Sequence, residues 1–501
     1  RDGYDRRTFL KLSAAASAGF TGGRCATGTT ASGVAPVTAG GRRVRNVIFM
    51  VADGMSMGVL SMAEPFSQLV RGRGTHWYGL KQEADATWGF FETHALNSLV
   101  TDSAAAASAW GSGSRVNNNA INVLPDGTSL RPLAPLLKDH DIATGLVTTT
   151  TITHATPAGF AAVQASRDDQ MEIAPQYLDS VEVLMGGGAR FFDPAARNDG
   201  RDLLHAYREA GYTTWDHGRM LDARIAPWRV LALFDDGHLP FVIDRREDDQ
   251  LRQRVPPLAK MTSRALGVLG RRDGGFLLQI EGGRVDHGAH NNDIAGTLWE
   301  QLDFDDAVGV ALDYVRQRDD TLLVITSDHG NANPGLNGTG ADYERSTKVF
   351  ETIAGIRASF TAIGRLLREG QGAAHAHDVI RATTGIDITR EESQAVSDAM
   401  AGDLSREIAM QQQNSAAMLG QVLSNHTGVG WTGVSHTQDW TAITALGPGR
   451  EHFHGVMKNT QAFDAVTALF GVDFQNPKMS AAATRRYADE PSSASPSPHW
   501  V

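Results

Sequence analysis

Short runs of apolar residues recur along the chain, and each run stops at polar residues of one kind. Residues 47–52, "VIFMVA", end at Asp53. The run inside "ATGLVTTTTITHATP" leads to His154 and Thr156. Residues 276–280, "FLLQI", end at Glu281, and residues 322–326, "LLVIT", end just before Asp328 and His329. Runs this short and this unbroken fit strands buried on both faces of a parallel sheet, where no side of the strand needs to be polar. Between them lie stretches of helical period, such as residues 295–317, "AGTLWEQLDFDDAVGVALDYVRQ". Strand and helix in alternation predict an α/β fold: a doubly wound, mostly parallel sheet flanked by helices. Ligands of such sheets bind beyond the carboxyl ends of the strands. Asp53, His154, Thr156, Glu281, Asp328 and His329 all fall there.

The pattern changes elsewhere. Residues 340–425, with "FETIAGIRASFTAIGRLL" and "REESQAVSDAMAGDLSREIAMQQQ", are helical with Gly-rich breaks and predict a helical insertion. Residues 1–42 are rich in Gly, Ala and Thr, and residues 477–501 in Ser, Pro and Ala. Both ends are expected to be flexible, leaving residues 43–476 as the catalytic domain. Near the start, "DRRTFLK" and the weak apolar stretch after it have the form of a twin-arginine export signal, with a periplasmic or secreted protein as the expectation. That stretch is too short and too weakly apolar for a membrane span.

Composition narrows the chemistry. A formal net charge of −11 speaks against nucleic-acid binding, which needs a basic surface to replace phosphate counterions. An acidic chain can still hold a phosphate group through local cations: metals, arginines or helix N-termini. Cys25 is the only cysteine, so no internal disulfide forms and thiolate zinc sites are excluded. A tight metal site must then use Asp, Glu and the 17 histidines.

In "EGGRVDHGAH", Asp286 and His290 are four residues apart and share one face of a helical turn, a pairing suited to zinc. Glu281 adds a hard oxygen ligand at the strand end. In "SDHG", Asp328 and His329 stand where a turn aims both at one ion. Asp53 is placed to bridge two ions, and the Thr156 hydroxyl suits magnesium. In "TDSAAAASAWGSG", residues 101–113, Asp102 and Ser103 stand at the mouth of a run of small residues. The stretch predicts a helix start whose N–H groups and positive dipole end face an anion. Ser103 stands at that start, and Ser108 lies about 7.5 Å further along the axis. Two other features carry no catalytic signal. "MGGGARFF" (185–192) lacks the Lys-Ser/Thr of a nucleotide loop and is expected to be a tight turn, and residues 117–119 are expected to be turn asparagines.

Taken together, "VTDSAAAASAWGSG", "THATPAGF", "EGGRVDHGAH" and "TSDHGN" resemble the alkaline phosphatase family in order and spacing. That resemblance implies a phosphomonoesterase in which Ser103 is the phosphorylated nucleophile. It assigns Asp286, His290 and His436 to a first zinc, and Asp53, Asp328 and His329 to a second. Asp53, Thr156 and Glu281 would hold one magnesium. Arg167, eleven residues after Thr156, matches the arginine that grips phosphate. His426 in "NHT" rivals His436, but only His436 stands eleven residues before a Gly-Pro, at Gly447 and Pro448. His154 and His287 resemble the animal and marine bacterial branch, with His154 beside the magnesium set. The family implies a homodimer. Two other readings stand beside this one. A related phosphodiesterase or mutase-like enzyme would lack the combination of Thr156, Glu281 and Arg167. A non-catalytic zinc- or phosphate-binding protein would need no nucleophile.

Overall fold

Strand β1, Asn46–Ala52, is buried along its whole length. Its side chains alternate between two cores: Val47, Phe49 and Val51 enter one, and Ile48, Met50 and Ala52 the other. The apolar run is unbroken because a layer of helices covers each face of the sheet. The computed structural model describes residues 44–480 apart from 225, 226, 407 and 408, together with residue 482. The paired arginines, Cys25 and most of the C-terminal Ser/Pro stretch lie outside the described residues.

The further strands are β2 (Thr87–Glu92), β3 (Ala143–Thr151), β4 (Val183–Gly187), β5 (Thr213–Trp215), β6 (Val230–Leu233), β7 (Phe276–Gly282) and β8 (Thr321–Thr326). After them come β9 (Gly330–Asn331), β10 (Gly335–Leu336), β11 (Val429–Gly430), β12 (His436–Thr437), β13 (Thr441–Leu446) and β14 (Gly455–Lys458). The large sheet has the order β14-β2-β13-β8-β1-β7-β3-β4-β6-β5. It is parallel except at β13, which runs against both β2 and β8. The four apolar runs become β1, β3, β7 and β8, which are neighbours in the sheet. Val51 pairs with both Glu281 and Thr326, and Glu281 also pairs with Thr148. Their carboxyl ends therefore finish side by side. Among the described residues no helix is long and apolar enough to cross a membrane.

The small residues of helix Ser103–Ser112 find their reason in packing. All ten residues are buried, and the helix lies against helix Ala155–Ala161. A Cβ on Gly111 would stand 1.9 Å from the Gly159 carbonyl oxygen. Small side chains thus let the helix that starts at Ser103 touch the helix that carries Thr156.

The glycines of "MGGGARFF" correct the expectation of a turn. Met185, Gly186 and Gly187 belong to β4, and the turn begins only at Gly188, with φ of 90°. A Cβ on Gly187 would stand 2.0 Å from the Gly237 carbonyl oxygen, so the strand must be bare where the loop after β6 crosses it.

The helical insertion leaves the fold at β10 and returns at β11, which pair antiparallel through Leu336 and Val429. Between them lie helices Ser346–Glu351, Phe360–Arg368, Gly372–Thr384, Arg390–Met400 and Ser415–Thr427. Phe360, Ile363, Ile380, Val396, Leu419 and Leu423 form a core of their own there. The antiparallel pair of β12 with β9 follows, setting His436 opposite Asn331.

Candidate active site

Most of the chemical side chains stand at the end of a strand or in the first turn of a helix, while Arg167 lies in a turn and His290 ends its helix. Asp102 caps helix Ser103–Ser112 by accepting from the Ala105 amide at 2.9 Å. Its other oxygen accepts from the Asn119 amide at 2.9 Å and from the Arg167 guanidinium at 3.1 Å. One acid thus ties the helix start, a left-handed turn at Asn119 (φ 74°) and Arg167 together. Arg167 also donates to His154 Nε2 at 3.0 Å. Burial works against its charge, but the carboxylates of Asp102, Asp53 and Asp286 outweigh that and raise its pKa.

Ser103 is 1% exposed, and its Oγ lies 3.2 Å from His329 Nε2. Asp328 Oδ2 approaches that same nitrogen at 3.0 Å. A Ser-His-Asp triad needs the acid on the opposite ring nitrogen, so this is not one. Ser108 instead accepts from the Asn122 amide at 2.9 Å within the helix packing.

Three sets of ligand-type atoms gather around Ser103, each with its atoms within 4.8 Å of one another. They are Asp53, Asp328 and His329; Asp53, His154 and Glu281; and Asp286, His329 and His436. Asp53 is shared by two of them. His290 joins the last, with Nε2 3.2 Å from Asp286 Oδ2 and 3.1 Å from His436 Nε2. The other ring nitrogens are fixed by carbonyls: His290 Nδ1 by Val434 at 2.6 Å and His436 Nδ1 by Thr101 at 2.8 Å. The Thr156 hydroxyl lies 3.5 Å from Asp53 Oδ2. His426 is elsewhere, 3.2 Å from Glu392 in the insertion. Another set, His76, Asp305 and Asp306, is already engaged: Asp306 pairs with Arg71 and Arg73, and Asp305 accepts from the His76 and Trp77 amides.

The electrostatics at the centre are those of anions crowded together. Burial, then the charges of Asp328, Asp286 and Glu281, push Asp53 well above the usual carboxylate range. Burial lifts Glu281 to about 7, against the pull of its hydrogen bond from Thr148. Burial also opposes ionisation of Asp286, but His290, His436 and His329 outweigh it and hold Asp286 well below the usual range. Asp53 Oδ1, Glu281 Oε1 and Asp328 Oδ2 are buried and accept no hydrogen bond. Buried carboxylate oxygens left this way are stable only with cations beside them, and imidazole-carboxylate and carboxylate-hydroxyl donor sets are those of divalent metals.

One side chain beside the site escaped the sequence reading. His238, on the loop after β6, packs against His287 with ring centroids 4.5 Å apart and against His154 at 5.5 Å. His154 and His287 are themselves 5.7 Å apart. Burial and the guanidinium groups of Arg284, Arg190 and Arg167 push His238 down to about 3. Its signal was present: "VLALFDDGH" is again an apolar run that stops at acids and a histidine.

The architecture has known counterparts. A family model described as alkaline phosphatase matches residues 44–471. The chain belongs to the alkaline phosphatase family. It is 30% identical over 429 residues to alkaline phosphatase 4 of Bacillus subtilis (strain 168), covering 83% of this chain and 87% of that protein. The crystal structure of Thermus thermophilus alkaline phosphatase is similar with a TM-score of 0.84 and 34% identity, covering 90% of this chain and 96% of that one. The cold-active alkaline phosphatase of Shewanella sp. is similar with a TM-score of 0.70 and 29% identity, covering 85% of this chain and 99% of that one. The chain is thus a metal-dependent phosphatase acting on phosphate monoesters.

Proposed function

We propose that this alkaline phosphatase hydrolyses phosphate monoesters through a phosphorylated Ser103, with two zinc ions and one magnesium. The observation that carries the reading is the position of Ser103. It is buried at a capped helix start with its Oγ 3.2 Å from His329, which belongs to two of the ligand sets, and the Asp102 that caps its helix also anchors Arg167. Asp286, His290 and His436 would hold the first zinc, and Asp53, Asp328 and His329 the second. Asp53, Thr156 and Glu281 would hold magnesium, with His154 beside them. When bound, these ions supply the positive charge that makes hydroxyl oxygens nucleophilic at mild pH and offsets charge on the entering and leaving oxygens.

The chain's own groups do the rest. Ser103 Oγ gives up its proton to solvent and bonds to phosphorus as the ester P–O bond breaks, and the alcohol leaves with a proton from solvent. Arg167 has more N–H donors than its bonds to Asp102 and His154 use, and a guanidinium fork suits two phosphate oxygens. The helix N-terminus turns its positive dipole end to the same group. Water then attacks the phosphoserine from the opposite side, the P–Oγ bond breaks, and inorganic phosphate leaves with Ser103 restored. Turnover of p-nitrophenyl phosphate is the first test. Acid-quenched enzyme should carry labelled phosphate on Ser103, and Ser103→Ala should lose both the label and several orders of magnitude of turnover while keeping its metals. Label retained on that variant would sink the assignment. The same reading makes the chain an exported homodimer. Replacing Arg6 and Arg7 by Lys should strand the activity in the cytoplasm, and size-exclusion chromatography should show twice the chain mass.

A further inference from the structure

His238 has no part in the chemistry above, yet its seat is more tightly specified than a surface loop requires. Three connections hold the loop after β6. The Gly188 amide donates to the carbonyls of Asp235 and Gly237 at 2.9 and 2.8 Å. The Leu239 amide donates to the Thr149 carbonyl at 3.0 Å. The Arg254 guanidinium donates to Asp235 Oδ2 at 2.9 Å. The bare backbone of β4 makes this docking possible, because any side chain on Gly187 would strike Gly237. The Thr151 amide then donates to His238 Nδ1 at 3.1 Å, which leaves the proton on Nε2 and fixes the ring plane. Thr151 ends β3, and its carbonyl accepts from the His154 amide at 2.9 Å. The backbone that seats His238 is therefore the backbone that launches His154.

The rings meet edge to face. His238 stands at 86° to His154 and at 69° to His287, and His287 stands at 88° to His154. On the far side, the Arg284 guanidinium donates to His287 Nδ1 at 2.6 Å and lies 3.8 Å over the Phe241 ring. His154 is thus confined by two fixed rings and by its bond from Arg167. In that confinement a ligand atom of His154 lies within 4.8 Å of Asp53 and Glu281.

We propose that His238 is a positioning residue: seated by the bare glycines of β4 and the Thr151 amide, it wedges His154 toward Asp53 and Glu281 and thereby sets which metal that group prefers. This rests on the reading of Asp53, Thr156 and Glu281 as a metal group. With His154 held in place the group offers an imidazole as well as oxygens, which lets zinc compete with magnesium. With His154 released it offers oxygen donors, which favour magnesium. Residues that orient a metal ligand without touching the metal are typically worth about 10–100-fold in affinity.

The test counts metal rather than turnover. Enzyme carrying two zinc ions per chain is dialysed against graded zinc or magnesium, and the third equivalent is measured by elemental mass spectrometry. His238→Ala should weaken the third zinc by about tenfold and leave magnesium within about twofold. Gly187→Ala, which displaces the loop, should do the same. His154→Asn should weaken the third zinc at least as much, and adding His238→Ala to it should change nothing further. The proposal is overturned if His238→Ala keeps the parent's zinc affinity, if it loses both metals equally, or if the double variant is additive. Glu281→Gln separates the two levels: should it retain a third magnesium, the metal group itself is misassigned, whatever His238 does. Thermal unfolding of each variant excludes simple loss of fold, and where Gly187→Ala does not fold, His238→Ala alone decides.

Discussion

Two groups of acids in this molecule differ in their surroundings. Around the long helix Ile294–Arg316 and the neighbouring helix Val242–Glu247, both oxygens of each of three buried or half-buried acids are claimed. Asp303 accepts from Arg245 at 2.8 Å and from the Leu258 amide at 3.0 Å. Asp244 accepts from the amide and hydroxyl of Ser359 at 2.8 and 2.7 Å. Asp293 accepts from the Gly296 and Phe360 amides, each at 2.8 Å. Around Ser103, by contrast, Asp53, Glu281 and Asp328 each keep a buried oxygen that accepts no hydrogen bond. Burial of a carboxylate is common to both regions, so burial alone says nothing of function. The unclaimed oxygens mark the place where charge must come from outside the chain.

That contrast yields four experiments. The largest effect is expected from Asp328→Asn, which removes a proposed zinc ligand: one zinc should be lost and turnover should fall by roughly a thousandfold or more. Metal analysis beside the p-nitrophenyl phosphate assay decides, and full zinc content would reject Asp328 as a ligand. Next comes Glu281→Gln, where activity should drop by roughly a hundredfold while two zinc ions stay, since the carboxylate lost belongs to the oxygen-rich group. Zinc loss as large as in Asp328→Asn would dissolve the distinction between the groups. Third, Arg245→Ala leaves Asp303 buried without its cation and should cost about 3–5 kcal/mol of stability with metal content intact. Urea unfolding measures the first quantity, and an unmoved midpoint contradicts the structural role.

The smallest effect is a slope. Burial, then the charge of Asp303, pushes Glu300 up to about 8 from an ordinary 4.5. A folded-state pKa above the unfolded one means the folded protein holds the extra proton between those values. Its contribution to stability is therefore lost progressively as pH rises from about 4.5 through 8. Glu300→Gln should flatten the fall in melting temperature over that window, by a few degrees in all. An unchanged slope would show that Glu300 does not titrate there.

The strands that carry the site were legible in the sequence because each is buried on both faces, which leaves an unbroken apolar run. β2 was not legible: in "TWGFFE" the buried positions are Gly89 and Phe91 while the apolar Trp88 and Phe90 face outward, so neither an unbroken apolar run nor apolar-polar alternation forms. β13 escaped because the pattern says nothing of direction, and it runs against its neighbours. His238 escaped because its loop is aligned by β4 and β3, not by its own residues.

What the sequence determined by itself is local: the apolar runs, the acid and serine at a helix start, and the one-turn spacing that brings Asp286 and His290 to 3.2 Å. What the tertiary structure decided is which local pieces meet. His436 reaches the centre because β12 pairs with β9 and because Thr101, 335 residues away in sequence, holds its Nδ1. His426, ten residues earlier, is turned away by the helix it sits on. The reason is physical. Side-chain spacing within a turn follows from backbone geometry, whereas contacts across hundreds of residues exist only when packing of the whole sheet repays the entropy of closing the chain.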